Sequence, residues 1–404
     1  MSCTAIPWAV GRDPSDDACD GTGFDAEAAP RHCPAMRATE FEAARLTVRL
    51  SAVAANYRLC QRLAGPAVVA GVVKADGYGL GLVRIGGALA AAGCDTFFVA
   101  RLEEGIALRA VLPTSRIFVL DGAAPDTVPA LLSHRLTPVL NSLAEIAGWA
   151  AAAHEMHTEL EAAIHIDTGM NRLGLPGDEL SLLSSQAKKR LDGLRVVLWM
   201  SHLACADDPQ AKMNPIQLDR FRTALAMLPP APASFASSGG VLLGKDYAFD
   251  LVRPGIGLYG GNVQNAAQNP FSVAAVLTTR VLQLRRIDRG ESVGYGATFR
   301  AKRPSLIATV ALGYADGLMR AIGNRGHAAI AGTRAPIVGR VSMDLVTLDV
   351  TDVPPAALST DAEAEFFGDT IPLEDVARAA DTAAYEILTS LTPRVPRHYE
   401  GAAA

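Results

Sequence analysis

A lysine, two arginines, a histidine, serines and tyrosines stand beside apolar runs of this chain, where a fold can gather them. The first is Lys74, in Val72-Val73-Lys74-Ala75-Asp76-Gly77-Tyr78-Gly79. The run from Val68 to Val73 is short and β-branched, the pattern of a strand buried on both faces. Lys74 follows where that strand emerges. Burial there lowers an amine's pKa and makes it a nucleophile or a base. Tyr78, four residues on, can share the same site. A lone lysine at a strand end is usually only a solvated terminus, so the other stretches decide.

Asp167-Thr168-Gly169-Met170-Asn171-Arg172-Leu173-Gly174 joins a carboxylate, a glycine turn and an arginine. By itself it equally suits a plain strand-to-helix turn with Thr168 or Asp167 as cap. His202, after Val196–Met200, is a candidate ligand that equally suits a satisfied core position. Ser237-Ser238-Gly239-Gly240 is small and amide-rich, which suits a phosphate or a plain connection. Arg253-Pro254-Gly255-Ile256 puts an arginine on a rigid turn. Val293-Gly294-Tyr295-Gly296 flanks a tyrosine with glycines and so exposes its hydroxyl. Gly339-Arg340-Val341-Ser342-Met343-Asp344 offers a further polar turn. No Walker sequence occurs, so a P-loop type of phosphate site is excluded.

Elements that could bring these residues together follow from the rhythm of the chain. Its 404 residues allow two or three domains, or a large barrel with a partner domain. Apolar runs at Val68–Val73, Thr96–Val99, Arg116–Leu120, Leu136–Leu140, Ala162–Ile166 and Val196–Met200 read as strands, with weaker ones at Ala233–Ala236 and Gly255–Leu258. Helical stretches such as Leu102–Ala110, Leu143–Ala152 and Pro215–Met227 lie between. Eight such repeats make a (β/α)8 TIM-type barrel, whose chemistry gathers at the C-terminal strand ends. Lys74, Arg101, Asp167 with Arg172, His202 and Ser237-Ser238 follow the first, second, fifth, sixth and seventh strands, and Arg253 just precedes the eighth. After residue 272 the pattern turns to short strands separated by Gly, Pro and Asp, without a long helix until Leu373–Leu391, as in a mostly antiparallel domain.

The expected division is therefore a disordered leader over 1–42, an α/β barrel over 43–274 and a β-rich C-terminal domain over 275–404. The leader is rich in Asp, Gly, Pro and Cys and lacks the basic start of a signal peptide. A net charge of -5 without a basic block argues against nucleic acid, and no apolar run is long enough for a membrane span. The six cysteines are scattered without metal-ligand spacing. No metal is expected, and a reducing cytoplasm is.

From about residue 43 to 400 the five stretches beginning at Val72, Asp167, Arg253, Val293 and Gly339, in their order and spacing, resemble the alanine racemases, fold-type III enzymes that use pyridoxal 5'-phosphate. The resemblance implies that Lys74 carries the cofactor covalently and is one of two catalytic bases. Tyr295, from the partner subunit of a homodimer, is the other. Tyr78, Ser238 and the amides of Gly255 and Ile256 are implied at the phosphate. Arg253 is implied at the pyridine nitrogen with His202 bonded behind it, and Arg172 at the cofactor oxygen and the substrate carboxylate. Met343 and Asp344, also from the partner subunit, are implied at the substrate and its entrance. The activity implied is interconversion of L- and D-alanine, with D-alanine supplied to peptidoglycan precursors.

Three positions depart from the family pattern. His165 stands where many members carry a carbamylated lysine that braces the arginine matching Arg172. Leu80 replaces a frequent histidine, and Ser237 a common asparagine. Histidine cannot supply the carbamate's charge, so a small anion, or otherwise backbone carbonyls, is expected beside Arg172. Alternatives are a racemase of broader amino-acid range, a decarboxylase of the same fold type, and a non-catalytic cofactor carrier. The carriers lack a second domain. The decarboxylases' long polar substrates need partners that are not marked here.

Overall fold

The computed structural model describes residues 42–264 and 268–401. The leader over 1–42 thus falls, except for Glu42, outside the described residues. Nine strand segments form one parallel sheet. Two of them, Val68–Val69 and Gly71–Val72, are halves of a single strand. The first half pairs with the last strand, Leu251–Arg253, and the second half with Thr96–Val99. The sheet therefore closes on itself as an eight-stranded barrel. Its other strands are Arg116–Val119, Thr137–Leu140, Leu160–His165, Leu194–Met200 and Ala233–Ser237. All four residues of Thr96–Val99 are buried, as a strand between barrel core and outer helices requires.

The helices bury one stripe against the barrel. Leu50–Ala64 does so with Leu50, Val53, Ala54, Tyr57, Cys60 and Ala64, and stops at Gly65, whose φ of 68° is left-handed. Leu143–Glu155 starts at Ser142, whose hydroxyl accepts the Glu145 amide at 3.2 Å.

The eighth strand is not where the sequence pattern put it. Gly255–Leu258 alternates glycine with apolar residues, yet Ile256–Tyr259 is a 3-10 turn and the strand is Leu251–Arg253. Pro254 has no amide to donate, and the Gly255 and Gly257 amides are taken by the Ser238 hydroxyl, so no ladder continues. Arg253 consequently ends a strand instead of preceding one.

The second domain is a sheet built on the 13-residue strand Ala275–Ile287, which pairs antiparallel with Ser305–Val310 and Glu363–Phe367. Ala44–Arg49, ahead of every barrel strand, also belongs to this sheet. It pairs antiparallel with Ala275–Ile287 and parallel with Arg397–Glu400. The long helix expected over Leu373–Leu391 is two, Leu373–Ala380 and Ala384–Thr389, separated where Asp381 turns left-handed at φ 59°.

Candidate functional site

After the first barrel strand the chain makes an unusual turn. Ala75, Asp76, Gly77, Tyr78 and Gly79 all have positive φ, at 54°, 53°, 62°, 58° and 78°. For the three that carry a Cβ this costs about 1 kcal/mol or more each. Within the turn, the Gly77 amide donates to Val73 O at 2.8 Å and the Gly79 amide to Ala75 O at 2.7 Å. The Asp76 carboxylate accepts the Leu82 amide at 2.8 Å. The result places Lys74 and Tyr78 on the wall of one cavity of about 450 Å³ at the C-terminal mouth of the barrel.

Arg172, His202, Ser238, Arg253, Gly255 and Ile256 line the same cavity. All eight barrel candidates are therefore brought together. Arg101 is not. It precedes Leu102–Val111, where the Glu104 carboxylate accepts the Ala100 and Arg101 amides, a capping role. Asp167 likewise shapes its loop, accepting the amides of Gly169, Met170 and Asn171 at 2.9, 3.0 and 3.2 Å, and so presents Arg172 to the cavity.

Arg253 is buried and has no ion-pair partner among the described residues. Its guanidinium donates to the Ser234 hydroxyl and, at 2.6 Å, to Ser201 O. Those two residues hold it, where His202 was expected to. Burial pushes its pKa down to about 10. A buried, uncompensated cation is costly unless something polar completes its shell. The Lys74 amine is also held below its ordinary range, first by burial and then by Arg172, against the opposing pull of Glu104 and Asp121.

Ser238 accepts the amides of Gly255 at 2.9 Å and Gly257 at 3.1 Å. A side chain on Gly255 would begin 2.1 Å from the Tyr78 hydroxyl, so glycine is what lets Tyr78 reach this corner. Tyr78 leans on Tyr259 with ring centres 4.5 Å apart, and burial raises its pKa.

Both cavity histidines are neutral. Burial, reinforced by Arg253, lowers His165 to about 4, and burial with Arg253 and Arg172 lowers His202 to about 3. His165 Nδ1 lies 3.0 Å from Asn141 Oδ1. The Asn141 amide group already donates to Leu120 O and Val139 O, so its oxygen must accept and His165 Nδ1 carries the proton. The remaining ring nitrogen is an acceptor. His165 therefore offers no ring donor to the anion expected beside Arg172. Among the described residues no carbonyl or carboxylate bonds the Arg172 side chain.

Tyr295, Met343 and Asp344 lie outside the cavity. Tyr295 is 71% exposed and Met343 54%. Asp344 pairs with Arg394 at 2.7 Å. Their loops adjoin, the backbone of Gly294 lying against that of Gly339 and Arg340. One cavity residue had no local signal in the sequence. Tyr385, from Ala384–Thr389, enters the cavity 6.1 Å from the Tyr78 ring. Asp121 joins it from the end of the third strand. Asn141 also follows a strand, the fourth, and the strand-end pattern that marked the others was there to find it.

A closed barrel with a lysine after its first strand, joined to a separate β domain, is the architecture of fold-type III pyridoxal-phosphate enzymes. Sequence comparison narrows it. The family description "Alanine racemase, N-terminal domain" matches residues 48–263, and "Alanine racemase, C-terminal domain" matches 274–399. The chain belongs to the alanine racemase family, pyridoxal-phosphate-dependent isomerases. It is 46% identical over 355 residues to a catabolic alanine racemase of Agrobacterium fabrum, covering 88% of this chain and 91% of that one. It is 45% identical over 382 residues to an alanine racemase of Rhizobium meliloti, covering 91% and 100%. Among solved structures it is similar to the Bartonella henselae alanine racemase with covalently bound pyridoxal phosphate. That match has a TM-score of 0.85 and 39% identity and covers 89% and 99% of the two chains. The biosynthetic alanine racemase of Pseudomonas aeruginosa superposes with a TM-score of 0.84 at 33% identity, covering 89% and 100%.

Proposed function

We propose that the chain interconverts L- and D-alanine through two bases on opposite sides of the α-carbon, Lys74 and Tyr295 of the partner subunit. One observation carries the reading: the barrel candidates share a cavity, whereas Tyr295 stands on an exposed face of the second domain. A base so placed serves a site only if another copy of the chain brings it there. Tyr314 and Leu345, 42% and 40% exposed and hydrogen-bonded through their backbones to Ser342, add apolar surface to the loop that carries Met343.

The residues present fit pyridoxal phosphate. Arg253 is a buried cation lacking a counter-ion, the Ile256 amide has no acceptor among the described residues, and Gly255 leaves open the corner that Tyr78 fills. Tyr78, Ser238, Gly255 and Ile256 would hold the phosphate, Arg253 and His202 the ring, and Arg172 the substrate carboxylate with the Met343 amide of the partner subunit. Asp344 of the partner subunit would border the entrance. When bound, the cofactor takes up the electron pair left on the α-carbon after its proton is removed. Lys74, its pKa lowered by burial and by Arg172, accepts or returns that proton on one face, and Tyr295 of the partner subunit does so on the other. Arg253 can only donate, so facing the ring nitrogen it would leave that nitrogen unprotonated and restrain competing chemistry. L- and D-alanine have equal free energies, so the site favours neither direction, and supply of D-alanine for peptidoglycan depends on concentrations.

A cytoplasmic setting agrees with the free thiols of Cys60, Cys94 and Cys205. No helix among the described residues is long and apolar enough to cross a membrane. The test is complementation. Lys74→Ala and Tyr295→Phe chains are each inactive alone, and mixing them restores activity because one site of the hybrid dimer holds both bases. A mixture that stays inactive after demonstrated subunit exchange rejects the shared site.

A further inference from the structure

The strained turn behind Lys74 is gripped from outside by the C-terminal segment. Arg397 Nε donates to Gly79 O at 3.1 Å, and the Tyr399 hydroxyl donates to Leu80 O at 3.0 Å. The approach is close on both sides. A Cβ on Gly79 would lie 2.5 Å from Leu388 O, and one on Gly81 would lie 2.1 Å from the Tyr399 hydroxyl. The grip is itself fixed. Arg397 spends its other donors on Leu391 O at 2.8 Å, Thr392 O at 2.5 Å and Val395 O at 2.7 Å. The guanidinium of Arg84 lies 4.7 Å from the centre of the Tyr399 ring. The strand that carries both residues is paired along Ala44–Arg49.

A left-handed run containing Ala, Asp and Tyr persists only where its surroundings over-determine it. The turn's own hydrogen bonds do not, because a right-handed turn would make equivalent ones without the steric penalty. We propose that Arg397 and Tyr399 are positioning residues for cofactor capture, holding the Ala75–Gly79 turn in the one conformation that aims both Lys74 and Tyr78 into the cavity. The proposal rests on the reading of Lys74 and Tyr78 as cofactor-holding residues. It adds that the β domain controls them from behind, by a route separate from the exposed face that carries Tyr295.

Strain relief separates positioning from a general structural role. Ala75 is exposed, so Ala75→Gly removes the steric penalty at φ 54° without disturbing packing. Full-length protein, stripped of cofactor, is titrated with pyridoxal phosphate and followed by absorbance, and hydrogen exchange is measured over 75–81. Tyr399→Phe should weaken cofactor affinity about fivefold to tenfold, the effect of one lost hydrogen bond. Exchange over 75–81 should rise. Ala75→Gly in the same chain should recover most of the affinity. Arg397→Met should lose more, and Tyr399→Phe keeps the test decisive if that variant does not fold. Unchanged affinity in Tyr399→Phe, or no recovery from Ala75→Gly in a folded double variant, overturns the proposal. Failure of the unaltered protein to take up cofactor at Lys74 overturns the site reading instead.

Discussion

Acidification should destabilise this protein through His165 in a way that a single substitution cancels. In the unfolded chain a histidine takes up its proton near pH 6.5, whereas His165 in the fold resists until about pH 4. Its folded pKa is lowered, so stability is unaffected above pH 6.5 and falls as the pH drops from 6.5 towards 4, where only the unfolded state gains the proton. The linkage relation gives a loss of about 2 kcal/mol at pH 5 from this one group. Glutamine at 165 keeps a donor for Asn141 Oδ1 and does not titrate. Urea unfolding of cofactor-free protein, followed by the fluorescence of buried Trp149 and Trp199, measures the difference directly. Between pH 7 and pH 5 the parent should lose about 2 kcal/mol more than His165→Gln, while carboxylates and His202, present in both, cancel. Parallel losses would mean that His165 takes up its proton in the fold as readily as in the unfolded chain, and the neutral, acceptor state of its other ring nitrogen would be wrong.

Borohydride reduction of the yellow holoenzyme should fix the pyridoxal group on the peptide containing Lys74; a label on Lys245 or Lys302 would displace the site. Ser238→Ala strips the acceptor from two buried amides, so stability should fall by about 1–3 kcal/mol and cofactor affinity by about tenfold, read by urea unfolding and absorbance titration. In a panel of L-amino acids resolved by chiral chromatography, alanine should racemise fastest by a wide margin. Equal turnover of larger side chains would favour the broader-range racemase.

The barrel was legible in the sequence because strands buried on both faces are continuous apolar runs, and function gathers at one end of such strands. That logic located Lys74, Arg172, His202 and Ser238, whereas Arg253 was singled out by its rigid turn. It failed at Gly255–Leu258, where alternation imitated a strand while Pro254 and Ser238 removed the ladder's donors. It also included Arg101, because polarity at a strand end does not distinguish a cap from a cavity wall. Ala44–Arg49 was invisible as a strand since its partners, Ala275–Ile287 and Arg397–Glu400, lie hundreds of residues away. Tyr385 was missed for the same reason. Nothing local marks a helix residue of one domain as a wall of the other's cavity.

Biosynthesis runs in the order of the chain, and here that order matters. Leu80 and Tyr399 are separated by 319 residues, and Gly79 and Arg397 by 318. A nascent chain has all eight barrel strands, and even most of the second sheet, before the residues that grip the Lys74 turn leave the ribosome. Until then Ala44–Arg49 lacks its parallel neighbour and the turn lacks its external hold. Fragments released early would carry a complete set of barrel residues with an unset lysine, poorly able to retain a reactive aldehyde. On the proposed role of Arg397 and Tyr399, competence would arrive with Arg397–Glu400, as a by-product of topology.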